Sequence, residues 1–495
     1  MEEFIKTRDN SKLATGRSGA RAGDSTTCLF QWAAFPERRR FGQIRDRARR
    51  LLFQLFSAGC ASEFQPSRCV VSVFVFDTKA VKSKIGRMMS QRNLGKLLAG
   101  FWLGIWVAGS VGWASDAFDP PALYLTWQRD PTTTMTVHWH TEDEAKTELY
   151  FRRVGDTNAW TTAAGTSHPL PASIRTVHTV ELTGLRPKTD YEFCFWPGER
   201  VFKFRTLPKD LSQPIRFADG GDVYHHREAM DTMNELVGKL DASFAVIGGD
   251  LAYAFGGSIQ NELMERWDAY FDSWKQKART PDGRLVPMLV TIGNHEVRGS
   301  YHQPSERAPA YYASFAMPGP QGYNVLDCGN YLSLLLLDSG HTHPVEGAQT
   351  DWLKQTLAAR QHVSHVFPVY HVPAWPSYRS DKVGESGKIN HLIREHWCPL
   401  FDEYGVQLAF EHHDHAYKRT YPIRKGSIDP RGVVYLGDGA WGVTVRKPDA
   451  KGRWYLARAG QIRHIYLVTL YADARHVVAV NENGEFFDEV YQRVR

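Results

Sequence analysis

At 495 residues, with 42% hydrophobic and 13% aromatic side chains, the chain is long enough for more than one packed domain, and general disorder is excluded. The net charge of +6 averages two unlike parts: residues 1–114 carry 19 basic and 8 acidic side chains, which leaves 41 basic and 46 acidic in the remainder. All 20 histidines lie in that remainder, so the positive excess is no basic surface on the histidine-bearing part, and no nucleic-acid partner is expected.

Taken in chain order, residues 1–87 are rich in arginine and show no sustained periodicity. They read as a leader outside the folded protein, one that a start at Met88 or Met89 would remove. Residues 88–114 read as a signal peptide. Arg92 and Lys96 precede an apolar run over 97–111, and Gly112-Trp113-Ala114 offers a small-x-small cleavage site. The expectation is an exported protein, periplasmic or secreted, whose mature chain begins near Ser115 and keeps no membrane span. Three cysteines follow Ala114, namely Cys194, Cys328 and Cys398, and such a sparse, odd set predicts buried thiols in place of a disulfide framework.

Residues 120–207 predict a domain of short alternating strands at 124–127, 135–139, 149–151, 176–180, 191–195 and 201–204, separated by Gly, Pro and Asp. That spacing implies an antiparallel β-sandwich. Residues 208–214 read as a linker. From 214 to 490 the pattern becomes strands at 215–218, 242–247, 285–292, 331–337, 365–370, 406–410, 433–436, 465–471 and 477–480, with helices at 228–240, 258–274, 350–359 and 388–404. The alternation predicts an α/β layered domain.

Five polar segments sit just past predicted strand ends, where open α/β sheets place their ligand sites. They are Gly220-Gly221-Asp222-Val223-Tyr224, Gly248-Gly249-Asp250-Leu251-Ala252-Tyr253, Gly293-Asn294-His295-Glu296, Val369-Tyr370-His371-Val372-Pro373 and His412-His413-Asp414-His415-Ala416-Tyr417. Together they supply Asp222, Asp250, Tyr253, Asn294, His371, His413 and His415. This set suffices to hold two metal ions about one carboxylate, and two ions ~3.5–4 Å apart are a standard device for phosphate-ester hydrolysis.

In these segments the chain resembles the purple acid phosphatases, a branch of the calcineurin-like metallophosphoesterase superfamily. The likeness covers about residues 120–490. Leu182-Thr183-Gly184-Leu185-Arg186-Pro187, with Tyr191 after it, resembles the corner of a fibronectin type III-like domain. The implied architecture is multidomain, an antiparallel β-sandwich followed by an α/β/β/α metallophosphoesterase domain. By the resemblance Asp222, Tyr253 and His415 bind one metal, Asn294, His371 and His413 bind the other, and Asp250 bridges them. Carboxylate and phenolate oxygens suit Fe³⁺, and imidazole and amide ligands suit a divalent Fe, Zn or Mn ion. A bridging hydroxide, or a water activated by it, would attack phosphorus. Asp250 and His295 are the implied catalytic residues, and His295 would protonate the leaving group. Asn294, His295, His413 and Arg379 would contact substrate. The implied partners are small phosphate esters, monoesters first.

Departures keep other readings open. Tyr224 stands where the family has a glycine and is expected near the first metal. His412 replaces the glycine of a GHxH motif, and Pro368 replaces a valine. Ser380 and Asp381 occupy the neighbourhood of a histidine pair found in plant-type relatives, with Arg379 adjacent as a phosphate clamp. A phosphodiesterase on the same metals therefore stands as an alternative, as does a non-catalytic exported binding protein. His225 and His226 are candidates for substrate contact, His341 and His343 read as loop surface, and Gly437-Asp438-Gly439 reads as a structural turn. The sequence leaves the natural substrate and oligomeric state open.

Overall fold

The computed structural model describes residues 118–495, apart from 158, 257–260 and 320–321. The expected leader, signal peptide and cleavage site, and the first residues of the helix expected over 258–274, lie outside the described residues.

The first element is an antiparallel β-sandwich. One sheet runs in the order Leu123–Thr126, Met135–Thr141, Thr176–Leu182, Thr166–Pro169, and the other in the order Thr161–Ala164, Glu148–Arg153, Asp190–Cys194, Phe202–Arg205. Apolar side chains alternate inward along these strands, so Leu149, Phe193, Phe202 and Phe204 fill the space between the sheets. The corner tyrosine is in place: the Arg186 backbone N–H donates to the Tyr191 hydroxyl at 2.9 Å. Two of the strands, Thr161–Ala164 and Thr166–Pro169, are largely exposed and polar, which is why no apolar alternation announced them.

The larger element stacks two mixed sheets face to face. The six-stranded sheet runs Met288–Val290, Ala245–Ile247, Ile215–Gly220, His464–Leu470, Ala474–Asn481, Phe486–Arg493. The seven-stranded sheet runs Asn324–Cys328, Leu332–Leu336, His365–Val369, Leu408–Phe410, Val434–Gly437, Tyr417–Thr420, Leu456–Gly460. Phe217, Phe244, Phe367, Phe410 and Tyr466 meet between them. Helices Arg227–Lys239 and Met264–Lys277 cover the outer face of the first sheet, burying Met230, Met233, Trp267 and Phe271. Helices Ala348–Ala358, Gly384–His396 and Cys398–Glu403 cover the second with Leu353, Ile389 and Phe401. The layers are therefore α/β/β/α, as the motifs implied.

One expected helix, 388–404, is two. The break falls at Trp397, because Pro399 has no N–H for the carbonyl four residues back and is tolerated only in a first helical turn. Sandwich and catalytic sheets share a core: Tyr124 stacks on Phe271 with centroids 4.5 Å apart, and Trp127 meets Phe244 edge-on at 5.8 Å. Cys194, Cys328 and Cys398 are free and buried. Among the described residues no helix is long and apolar enough to cross a membrane.

Candidate metal centre

Each motif residue stands within a few positions of a strand's carboxyl end. Asp222 follows Ile215–Gly220, Asp250 follows Ala245–Ile247, Asn294 follows Met288–Val290, His371 follows His365–Val369, and His413 and His415 follow Leu408–Phe410. The chain turns sharply there. Asp222, Asp250, Tyr253, His413 and His415 have φ of 59°, 54°, 54°, 79° and 58°, the left-handed region that non-glycine residues rarely enter. Such strain costs on the order of 1–3 kcal/mol per residue and persists where the surroundings over-determine it, typically at functional sites. The backbone packs closely to allow it. A Cβ on Gly439 would sit 1.6 Å from Asp222 Oδ2, and Gly439 itself has φ +63°. The Gly437-Asp438-Gly439 turn thus presses on the Asp222 carboxylate.

The donor atoms converge in two groups that share Asp250. In the first, Tyr253 Oη donates to Asp222 Oδ1 at 3.0 Å, His415 Nε2 lies 3.1 Å from Tyr253 Oη, and His415 Nε2 lies 2.9 Å from Asp222 Oδ1. In the second, His371 Nε2 lies 3.2 Å from Asn294 Oδ1, 3.1 Å from His413 Nδ1 and 3.3 Å from Asp250 Oδ2. Asp250, His371 and His413, and separately Asp222, Asp250 and His415, can each bring one ligand atom within 4.8 Å of the others. All seven predicted ligands are buried.

This donor set fits cations. The Nδ1 of His371 is taken by a hydrogen bond to the Gly248 carbonyl at 2.8 Å, which leaves Nε2 to face oxygen and nitrogen acceptors. Asp250 Oδ2 is buried and, among the described residues, has the charged pairing with His371 Nε2 at 3.3 Å and no well-aligned hydrogen bond. Burial disfavours charge on His371, but Asp250 and Asp222 outweigh it and lift the imidazole to about 9. Burial likewise opposes ionisation of Asp250, yet His371 and His295 hold its carboxyl well below the usual range. Burial and the neighbouring Asp222 keep Tyr253 a phenol, with its pKa well above 10, so that a strongly Lewis-acidic ion would be needed to ionise it. Glu296 stabilises the turn beneath, accepting the backbone N–H groups of Asp250, Leu251 and Gly293 at 2.8, 2.7 and 2.9 Å.

His295 lies outside both groups. Its backbone N–H donates to Asp250 Oδ1 at 2.8 Å, its Nδ1 hydrogen-bonds the Phe255 carbonyl, and its ring lies 4.2 Å from that of Tyr253. Its Nε2 is 3.9 Å from Asp250 Oδ2, on a side chain one-quarter exposed. Arg379 is drawn to the same place, its guanidinium donating to the His413 carbonyl and to Asp414 Oδ1.

Three expectations need correction or refinement. Tyr224 turns to Arg266, whose guanidinium carbon sits 4.3 Å above its ring. His225 is the residue that lines the wall, its ring 4.4 Å from Tyr253 and 5.4 Å from His415, while His226 turns to Thr444. His341 is not loop surface: it is fully buried, bonds the Ser300 carbonyl at 2.9 Å and lies 5.5 Å from the His371 ring. Asp338 draws that loop inward by accepting the N–H groups of His341, Thr342 and His343.

Some contributors carried no usable signal in the sequence. Asp414, between His413 and His415, is buried and accepts the backbone N–H groups of Ser377 and Tyr378 at 2.7 Å each, which fixes the loop bearing Arg379. Tyr301 Oη lies 3.3 Å from His413 Nε2. Arg446 donates its backbone N–H to the His415 carbonyl at 2.7 Å.

The layered fold and the two donor groups about one aspartate are those of a calcineurin-like phosphoesterase domain, and the sequence profile of that family, Calcineurin-like phosphoesterase, matches residues 219–417. The profile named Purple acid Phosphatase, N-terminal domain matches residues 120–206, so both described domains are similar to parts of purple acid phosphatase-like proteins. Purple acid phosphatase 15 of Arabidopsis thaliana is 26% identical over 293 residues, which are 53% of this chain and 53% of that protein. Purple acid phosphatase 23 of the same plant is 25% identical over 345 residues, 63% of this chain and 72% of that protein. The match thus spans about half the length of the first relative. Among solved structures, a purple acid phosphatase from yellow lupin (Lupinus luteus) seeds superposes with a TM-score of 0.61 at 16% identity, over 76% of this chain and 75% of that one. PhoD superposes at 0.57 with 14% identity, over 77% and 93%. Both structural likenesses are likenesses of fold.

Proposed function

We propose that the protein is a binuclear metal-dependent hydrolase of phosphomonoesters. The observation that carries this reading is the pair of buried donor groups meeting at Asp250. Asp222, Tyr253 and His415 would hold one ion, Asn294, His371 and His413 the other, with Asp250 between. The phenol in the first group favours Fe³⁺ there and a divalent Fe, Zn or Mn ion in the second. When bound, the ions supply a nucleophile from water near neutral pH and neutralise charge on the phosphoryl oxygens.

The chain's own groups do the rest. Asp250 fixes the spacing of the two donor groups, and Glu296 fixes Asp250. His295, with Nδ1 committed to the Phe255 carbonyl, presents Nε2 to the substrate and protonates the departing alkoxide. Asn294 and His413 orient the phosphoryl group from the second donor group, and Arg379 contacts it from the side of Asp414. Burial of the donors excludes bulk water, which strengthens each of these interactions. The apolar run and small-residue site within 88–114 support export of the mature chain.

The test is metal analysis of the purified protein together with hydrolysis of a phosphomonoester and a phosphodiester. About two ions per chain and preferential cleavage of the monoester are expected. A protein that holds two ions and cleaves neither ester would sink the reading.

A further inference from the structure

Arg446 lies thirty residues beyond the last metal-ligand motif, in a segment without regular structure. Its backbone is tied to the ligand His415, whose carbonyl accepts its N–H at 2.7 Å. Its guanidinium carbon stands 5.3 Å from the centre of the Tyr378 ring. The charged and ionisable groups acting on it are Arg379, Asp222, Tyr253 and Asp414, which are the groups of the first donor set and its flank. Among the described residues its side chain makes no hydrogen bond and no ion pair. This is unusual for a half-buried guanidinium with five N–H donors, and it contrasts with Arg379, which is neutralised by Asp414.

Resting on the reading above, we propose that Arg446 binds the scissile phosphoryl group and selects the dianionic terminal phosphate of a monoester over the monoanionic phosphate of a diester. The first support is valence. A guanidinium fork fits two phosphate oxygens at once, and Arg446 has its donors free for them beside the site. The second is charge. With Fe³⁺ and a divalent ion bound and Tyr253 ionised, the ions, Arg379 and Arg446 exceed Asp222, Asp250, Asp414 and the Tyr253 phenolate by about three charges. A terminal phosphate, whose second pKa is about 6, brings nearly two negative charges near neutral pH, and a diester brings one. The third is order. Tyr378 holds the guanidinium by cation–π contact, and the backbone N–H of Tyr378 is anchored by Asp414. Arg446 is thus aligned before substrate arrives.

The experiment compares the metal-loaded full chain with Arg446→Gln. Binding of inorganic phosphate and of dimethyl phosphate is measured by calorimetry, with thermal midpoint and metal content as controls. Phosphate should bind about 10- to 100-fold more weakly to the variant, the loss expected for a charged hydrogen-bonding partner. Dimethyl phosphate should change by less than about threefold, since it lacks the second charge and its only two unesterified oxygens would be engaged by the two ions. The ratio of kcat/KM for para-nitrophenyl phosphate over bis-para-nitrophenyl phosphate should fall by about tenfold or more. Tyr378→Ala, which loosens the guanidinium without removing it, should shift both measures in the same direction by less. Unchanged phosphate affinity, or equal losses on both probes, would overturn the assignment, as would loss of metal in Arg446→Gln. If the unaltered chain binds phosphate but hydrolyses neither ester, the proposed hydrolase activity fails, and Arg446 is still judged on binding alone.

Discussion

Replacing Gly248 by alanine should damage the protein through a single contact. His412, in the place of the family's glycine, is 1% exposed and lies between the backbones of Gly221 and Gly248. A Cβ on Gly248 would stand 1.7 Å from its Cδ2 and 1.8 Å from its Nε2. Non-bonded carbons settle at about 3.5–4.0 Å, so the overlap is about 2 Å. The ring has no retreat, because Gly221 closes the other side, its own Cβ position being 2.9 Å from His412 Cγ. Overpacking of this kind costs about 1–3 kcal/mol or more. The Gly248 carbonyl also orients His371, so the second donor group should loosen with it. Gly248→Ala is therefore expected to lower the thermal midpoint by a few degrees and to weaken retention of the second metal under a chelator. His412→Gly in the same chain should restore both, with a coupling of about 2 kcal/mol in a double-mutant cycle. His412→Gly alone should be mild: among the described residues neither ring nitrogen has a hydrogen-bond partner, so the buried imidazole's desolvation is relieved as its packing is lost. A Gly248→Ala protein as stable and metal-replete as the parent, or one that His412→Gly does not rescue, refutes the reasoning.

Other outcomes follow from the same geometry. His295→Ala should lower kcat by about 10²- to 10⁴-fold with two metals retained, and the defect should shrink for esters with acidic leaving groups; Asp250→Ala should empty both sites. Equal metal loss in the two variants, read by elemental analysis, would make His295 a ligand. Tyr253→Phe should abolish a visible absorption band of the iron-loaded protein, and a colourless, active, fully loaded parent would remove iron from the first site. Asp488 answers to pH: burial opposes its ionisation, but hydrogen bonds from Arg419, Tyr417 and Arg458 pull its pKa to about 2. Its stabilising contribution should be whole above about pH 4, the unfolded value, and vanish as pH falls through about 2. Arg419→Gln should flatten that part of the acid-unfolding curve, and an unchanged curve would count against the pairing.

The proposed metal ligands were legible in the sequence because their chemistry is positional. A site at strand ends needs Asp, Asn and His just past apolar runs, and Asp222, Asp250, Asn294, His371, His413 and His415 stand there. The corner at Tyr191 was readable for the same reason, since one hydrogen bond fixes its place. What escaped was set by long-range packing. Helix 388–404 carries one apolar period through Trp397, and Pro399 alone decides the break. Strands Tyr417–Thr420 and Leu456–Gly460 carry Lys418, Arg419 and Arg458, charges that a strand tolerates only because Glu411, Asp438 and Asp488 meet them from elsewhere. His341 looked like surface until Asp338 folded its loop inward. Arg446 has no motif, and its role depends on the path by which the chain returns to His415.

The continuity of core between sandwich and catalytic sheets also bears on biosynthesis. Trp127, Phe204 and Leu207 emerge from the ribosome well before Phe244 and Leu289, which they pack with in the finished molecule. A nascent sandwich therefore waits with an apolar flank bare, a surface of the kind chaperones hold and aggregates recruit. A gene fragment cut at the prolines of 208–214 would leave both halves in that condition permanently, whichever half is kept. Recombination or engineering can exchange loops at the strand ends far more cheaply than it can exchange the sandwich.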